Sequence, residues 1–526
     1  TITYSHKNFH HININLPDIC DYEISDVVSL SLPTEIAYIQ FSSGSTNSPT
    51  GVCLTHADVL EHVKNFTKST ATTNSDKYLS WMPLSHDFGL VAMHIVPLVL
   101  GLDQSIINTN LFVARPTILL ETAAREKSTF LSMTNFACEY VVTHAKRHDA
   151  AIDLRSIRVF FNGAEPINRK TMNDFSAFVE RKGARQNAMT PAYGLAQATL
   201  VVCNIAPDVK PNWQSVDFMS YEIGKPVRFL HCNESISSTI DVVSVGQEID
   251  GVNVSICDGF GKDLPSGFLG YIWIKGTSVA ERIVTEKGLV EHLHDGWLNT
   301  GDIGFSHENH FYITGRDSDL IKYRGSHLFS NDLELMVSNL LGISLAKVVV
   351  VASHFNGEER LICFVKSTKT NDEFAKETEI IASVVREKIK IEFSHFVKVK
   401  KIPKTTSGKV QRQNLLINHL QSIQLGTSTD FVVSRKTTTL IEPISESCIE
   451  DFILSRSKNV DGNIAVSQFE YFEDLGITSL ELVDLVTMIG EQFKVDIDAV
   501  DVFNYPSIRE FTAYVYSKRK EMRRQA

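Results

Sequence analysis

The stretch SSGSTNSPTG, Ser42–Gly51, carries a hydroxyl on four of its first five residues and leaves through Pro-Thr-Gly. It follows the β-rich run AYIQF and precedes a helical pattern that opens at Thr55-His56. Strand, hydroxyl- and glycine-rich turn, then helix is the order in which backbone N–H groups converge on an anion. The GxxxxGK pattern of a Walker A loop is absent, and the stretch carries no lysine. Taken alone, the stretch also has the composition of an ordinary polar turn.

Bulk properties narrow the classes. A chain of 526 residues divides into about three folding units. A formal charge of −11 argues against generic nucleic-acid binding, which needs a basic face. The longest apolar run, GLVAMHIVPLVLGL (Gly89–Leu102), is too short to span a bilayer and contains a histidine, so a buried core helix is expected there. Eight scattered cysteines without a CxxC pair offer neither a zinc site nor a disulfide scaffold. With no signal peptide at Thr1, the expected location is cytoplasmic.

Residues 1–315 alternate short β-rich runs (Ile36–Phe41, Val159–Phe161, Gly270–Ile274) with helical patterns (Ala57–Thr67, Ile167–Glu180), which predicts a layered α/β unit. A smaller mixed unit is expected over 316–420, with strands at Ala346–Ser353 and Leu361–Ser367 and a helix around Glu377–Ile389. Residues 421–445 are polar and without periodicity, the pattern of a linker. Residues 446–517 show apolar positions at helical spacing, among them Leu480, Val483, Val486 and Ile489, followed by a basic tail over 518–526. Between Glu446 and Glu510 there are 14 acidic and 4 basic residues, so this module holds nearly all of the excess negative charge, suited to docking on basic partner surfaces.

The Ser42–Gly51 loop has company. WMPLSHDFGL (Trp81–Leu90), FNGAEPI (Phe161–Ile167), PAYGLAQATL (Pro191–Leu200), WLNTGDIGF (Trp297–Phe305), GRDSDLIKYRG (Gly315–Gly325) and IPKTTSGKVQRQ (Ile402–Gln413) follow it in order. Together they resemble the adenylate-forming superfamily, and GRDSDLIKYRGSHLFSNDLE (Gly315–Glu334) looks most like its fatty acyl-AMP ligases. FEDLGITSL (Phe472–Leu480) resembles the acyl carrier proteins. The resemblance implies an acyl-CoA synthetase/luciferase-like α/β fold of large and small subdomains, joined to an all-α, four-helix carrier domain. It implies ATP-dependent activation of a fatty acid to acyl-AMP, then transfer to a phosphopantetheine thiol, for lipid, polyketide or lipopeptide biosynthesis. Met219–Gln247 falls where the ligases carry a segment thought to restrict the swing of the small subdomain.

Carried over by motif, Lys409 matches the catalytic lysine and His86 a histidine lining the acyl and acceptor channels. Ser42, Ser43, Gly44, Ser45, Thr46 and Gly51 fall in the phosphate loop. Gly163, Ala164, Glu165, Tyr193, Gly194 and Leu195 match the adenine pocket. Asp302, with Arg316, matches the ribose-binding aspartate; Ser318 is the hinge; Thr46 and Gln197 stand on the Mg²⁺ side; Ser479 is the attachment site of 4'-phosphopantetheine. The implied partners are a fatty acid, ATP/AMP, a phosphopantetheinyl transferase and downstream synthase or condensation modules, with no nucleic acid and no membrane span.

Departures from the family pattern keep two alternatives open. Gln197 replaces a magnesium-binding glutamate, Thr50 a lysine and Asn299 an arginine, so charge is lost at the phosphate end. Only Thr1–Phe41 precedes the loop, which implies that the N-terminal part of the large subdomain is missing. An amino-acid-type adenylation domain, or a catalytically weakened adenylation fold tethered to a working carrier, therefore stands beside the fatty acyl-AMP ligase.

Overall fold

The computed structural model describes residues 31–42, 50–145, 152–231, 234, 236–323, 326–355, 358–403, 410–424, 431–434, 486, 489, 493, 495, 497, 505 and 507–525. The chain separates into two compact units, Thr1–Ser434 and Arg435–Ala526.

The first unit opens on an antiparallel hairpin, β1 (Ile36–Ser42) and β2 (Thr50–Thr55), with Ser42 opposite Thr50 and Ile36 opposite Thr55. The expected strand–turn–helix order is corrected here. The hydroxyl-rich loop joins two strands, and helix α1 (His56–Ser69) starts at the other end of β2. Five residue steps of strand separate them, about 17 Å, too far for the helix N-terminus to act on an anion in the loop. That terminus is satisfied internally. Thr55 accepts from the Asp58 amide, and Asp58 accepts from the Thr55 amide at 2.8 Å, a reciprocal capping box.

Beneath lies a seven-stranded sheet. Strands β3 (Lys77–Ser80), β4 (Asp103–Ile106), β5 (Phe130–Met133), β6 (Val159–Asn162) and β7 (Met189–Gly194) are parallel, in the order β7-β6-β5-β3-β4. Beyond β7, strand β8 (Val201–Asn204) and Gln247–Glu248 add antiparallel edges. β5 and β6 are buried along their whole length, as a parallel sheet covered on both faces requires. Phe161 packs against Phe66, Phe88 and Phe130 with ring centroids 5.3–5.8 Å apart. Burial of each such ring contributes about 1.5–3 kcal/mol. The apolar run Gly89–Leu102 forms a π-helix, Phe88–Ile95, continued by the α-helix Val96–Leu100, with Val91, Ala92, Met93 and Val96 buried as expected.

A four-stranded antiparallel sheet follows, made of Val252–Cys257, Gly270–Gly276, Leu298–His307 and His310–Arg316. The smaller part is a sheet of Val348–Phe355, Glu358–Lys366, Phe393–Val399 and Phe431–Ser434. Helices Ser330–Leu341 and Asn371–Ile389 pack through Leu333, Val337, Phe374, Ile381 and Val385 into one core with it, and helix Arg412–Gln424 packs through Leu415 and Leu416 into another. Residues 421–445 were expected to be a linker. The helix in fact continues to Gln424, and Phe431–Ser434 pairs with Lys398–His395, because FVVS is β-branched and apolar enough to serve as an edge strand.

In the second unit Val486, Ile489 and Phe493 are helical and buried, and a helix spans Ile508–Gln525. The basic segment from 518 therefore continues a helix, anchored by buried Ile508, Phe511 and Val515. The number of helices in this unit lies outside the described residues. Among the described residues, no helix is long and apolar enough to cross a membrane.

Candidate active site

Parallel α/β sheets present ligands with the carboxyl ends of their strands. That edge gathers the motif residues here. Trp81–His86 leaves β3, Thr134–Phe136 leaves β5, Gly163–Glu165 leaves β6 and Leu195–Gln197 leaves β7.

At its centre three side chains from two sheets meet. The Tyr193 hydroxyl, from β7, donates to Asp302 Oδ2 at 2.6 Å. Arg316 Nε donates to Asp302 Oδ1 at 2.6 Å, the two residues being cross-strand partners. Asp302 is buried and its backbone amide donates to Thr300 Oγ1 at 3.0 Å, which fixes the TGD turn. Burial, then the Asp302 charge, push the Tyr193 phenol well above its ordinary range, so it stays protonated and donates. The same charge raises Arg316 further above its ordinary value.

The two loops beside this triad hold strained backbone. Ala164 has φ 69° and Thr199 φ 63°, the latter a β-branched residue in a left-handed conformation. Thr199 is fully buried and its hydroxyl donates to the Ser278 carbonyl at 2.8 Å. Strain of this kind persists where the surroundings over-determine it. A side chain on Gly194 would sit 1.8 Å from the Leu200 carbonyl oxygen, so the return of the chain after β7 requires glycine. The Glu165 carboxylate accepts from the Phe136 amide and ties the β6 loop to the β5 loop. Leu195 is buried, and the Gln197 carbonyl accepts from the Ala280 amide at 2.8 Å.

His86 sits in the turn after β3. Its amide donates to the Pro83 carbonyl at 3.1 Å, and its Nδ1 lies 2.6 Å from Asp87 Oδ1. Gly89 allows this turn: a Cβ there would lie 2.3 Å from the Pro83 carbonyl oxygen.

Gly51 is buried in β2, and Ser42 closes the hairpin, while Ser43, Gly44, Ser45 and Thr46 lie outside the described residues. Ser318 is exposed in the short 3₁₀ turn Asp317–Asp319. Lys409 and Ser479 also lie outside the described residues. On either side of the lysine loop the Gln411 amide donates to the Pro403 carbonyl at 3.0 Å. Sequence reasoning passed over Arg412, which donates to both Glu334 carboxylate oxygens at 2.9–3.0 Å and to Asn331 at 2.8 Å, and lies 3.9 Å from Asp319 in the 3₁₀ turn Asp317–Asp319. The signal was a basic residue three positions after the lysine. Among the described residues no cluster of three His, Cys, Asp or Glu is arranged to hold a metal. Gln197 brings a neutral amide, which can offer a carbonyl oxygen but no charge.

The sheet order, the carboxyl-edge loops and the Tyr193–Asp302–Arg316 triad define an adenylate-forming fold. The chain belongs to the AMP-binding enzymes, ATP-dependent ligases that form acyl-adenylates: that family's profile matches residues 21–283, and the phosphopantetheine attachment site profile matches residues 470–515, a span containing Ser479. The medium-chain-fatty-acid–acyl-carrier-protein ligase JamA of Moorena producens is 31% identical over 404 residues, covering 73% of this chain and 68% of that protein. A long-chain-fatty-acid–AMP ligase of Mycobacterium tuberculosis is 30% identical over 419 residues, covering 74% and 69%. Among solved structures, one from a study of fatty acyl-adenylate ligases of E. coli and L. pneumophila superposes with a TM-score of 0.68 at 25% identity, over 76% of this chain and 73% of that one.

Proposed function

We propose that the chain activates a fatty acid with ATP and passes the acyl group to a pantetheine thiol carried on Ser479. The observation that carries this is the Tyr193–Asp302–Arg316 triad at the carboxyl edge of the parallel sheet. A buried carboxylate held by a phenol and a guanidinium is an acceptor pair of the right kind for two vicinal ribose hydroxyls. Gly163, Ala164 and Glu165, with Tyr193, Gly194 and Leu195, form the walls of the adenine pocket. Ser42, Ser43, Gly44, Ser45, Thr46 and Gly51 cover the β- and γ-phosphates. A carboxylate oxygen of the fatty acid attacks the α-phosphorus, the bond from that phosphorus to the α,β-bridging oxygen breaks, pyrophosphate leaves with the electron pair, and Lys409 neutralises the charge that accumulates between the carboxylate and the α-phosphate. Thr46 and Gln197 would hold a Mg²⁺ brought with the nucleotide, which would offset the charge of the phosphates. Ser318 serves as the hinge.

A fatty substrate is supported by the named relatives and by the segment Met219–Gln247. Its described residues include buried Tyr221 and Val227, in one core with Phe329, Leu333 and Val337 of the smaller part. The Tyr221 and Phe329 ring centroids are 5.8 Å apart. Packing of this kind favours a small subdomain with restricted swing, and hence a carrier thiol over coenzyme A. Downstream synthase or condensation modules would receive the product.

Fatty-acid-dependent ATP–pyrophosphate exchange is the test: activity in the wild type that is lost in Lys409→Ala supports the proposal, and an exchange signal unchanged by that substitution sinks it. The loss of charge at Gln197, Thr50 and Asn299 favours a second reading, a weakened adenylation fold with a working carrier. It predicts that a phosphopantetheinyl transferase modifies Ser479, read by intact mass and abolished in Ser479→Ala, without any adenylate being formed.

A further inference from the structure

His86 and Asp87 are neighbours in sequence whose side chains also meet, each about 15% exposed. The 2.6 Å between His86 Nδ1 and Asp87 Oδ1 decides the tautomer. The Phe88 amide lies 2.7 Å from Asp87 Oδ1 and 3.2 Å from His86 Nδ1, so two assignments compete. If Nδ1 were the bare acceptor of the Phe88 N–H, its lone pair would face a carboxylate oxygen at 2.6 Å, which is repulsive. With the proton on Nδ1, the ring donates to Asp87 and the Phe88 N–H takes the shorter bond to the carboxylate. Nε2 is then the basic nitrogen.

The surroundings agree with a carboxylate in that role. The charge of Asp87 reaches Tyr38 on β1, alongside Asp58 of α1, and His62 on α1. Both receiving groups are held neutral by burial, the Tyr38 phenol pushed up and the His62 imidazole pushed down to about 3. The pair stands at the start of the π-helix Phe88–Ile95, an uncommon element that recurs at functional sites.

We propose that Asp87 is a positioning residue for acyl transfer: it fixes His86 with Nδ1 protonated, so that Nε2 takes the proton of the attacking pantetheine thiol. The proposal rests on the acyl-AMP ligase reading above. In the step, the S–H bond breaks and its proton goes to Nε2. The sulfur forms a bond to the acyl carbonyl carbon, and the C–O bond to AMP breaks, with the electron pair leaving on the phosphate. His86 then releases the proton to solvent. Asp87 stays ionised throughout.

The test separates the two half-reactions in the full-length chain with dodecanoate, ATP and pantetheine as probes. Hydroxylamine, which attacks acyl-AMP without a base, reads adenylate formation; pantetheine thioester reads transfer. Because the Phe88 N–H and Nδ1 both face the same carboxylate oxygen, Asp87→Asn either keeps an uncharged amide oxygen there, which holds the Nδ1–H more weakly, or puts an NH2 there, which opposes it. Thioester formation is expected to fall about 100-fold, at least tenfold more than hydroxamate formation. Asp87→Ser, which also keeps a capping oxygen, should show the same split, and Asp87→Asn should add nothing in a His86→Ala background. The exposed Ile380→Ser serves as the unchanged control. Equal losses in both half-reactions, or thioester rates within threefold of wild type, overturn the proposal. A wild type that yields no hydroxamate instead removes the ligase reading on which it stands.

Discussion

Asp302 and Arg316 stand opposite each other on adjoining antiparallel strands, and Arg316 Nε donates to Asp302 Oδ1 at 2.6 Å. The register of one β-hairpin thus builds half of the triad before any other element contributes. The Tyr193 hydroxyl completes it from a different sheet, at 2.6 Å on the second carboxylate oxygen. Each oxygen of the buried carboxylate thus accepts from one donor.

Asp302→Asn should therefore lower kcat/KM for ATP by about 10- to 100-fold, the cost of hydrogen bonds to a charged group. Tyr193→Phe removes one donor and leaves the Arg316 bond, so its loss should be tenfold or less. Exchange kinetics at varied ATP measure both, and a larger effect for Tyr193→Phe would contradict this order.

Gly194→Ala places a methyl group 1.8 Å from the Leu200 carbonyl oxygen and 2.9 Å from the Val201 Cα. Backbone on both sides has to shift, which should cost about 1–3 kcal/mol or more and disturb the YGLAQ turn. Gly259→Ala, with nothing within 4 Å, is the matched control. Thermal melting and exchange activity together check the expectation that only the first variant loses both.

His62 gives the fold a defined acid sensitivity. Buried and neutral, it titrates at about 3 in the folded chain, against an ordinary value of 6.5. Below 6.5 the unfolded state binds a proton that the folded state refuses. Stability is therefore complete above that pH and falls as pH drops toward 3, with a slope of up to about 1.4 kcal/mol per pH unit. His62→Gln retains an acceptor for the Val201 amide without the basic ring. Denaturant midpoints at pH 5 and pH 7.5 should differ less in this variant than in the wild type.

If Gln197 stands on the phosphate side as proposed, Gln197→Glu adds a negative oxygen there. The magnesium concentration for half-maximal exchange should drop several-fold, since a hard divalent ion prefers a carboxylate to an amide. An unchanged magnesium dependence would place Gln197 away from the ion.

Much of this was legible in the chain. Ordered motifs around Phe161–Ile167, Pro191–Leu200 and Trp297–Phe305 identified the α/β architecture and marked residues that the fold gathers on one edge. Motifs of this kind are local: a turn such as Gly163–Glu165 is recognisable because its backbone demands are met by residues adjacent in sequence. Helix boundaries were also nearly local, as the Thr55–Asp58 capping box illustrates. The hydroxyl-rich loop went the other way. Its composition suited a helix N-terminus, but β2 intervenes, and strand pairing with residues 36–42 depends on a hydrogen-bond register that composition does not encode. The edge strand Phe431–Ser434 was missed for the same reason, because its partner His395–Lys398 lies some way back in the chain.

By itself, then, the sequence determined the family, the order of the units and the chemical types available at the site. Tertiary structure alone decided which of those groups touch. Tyr193 and Asp302 are 109 positions apart, and only the packing of two sheets brings a phenol onto a carboxylate. His86 and Asp87 are adjacent, yet their tautomer-setting contact needs the turn that Gly89 permits against Pro83. Hydrogen bonds and desolvation act over a few ångströms of space, whereas a motif records only distance along the chain.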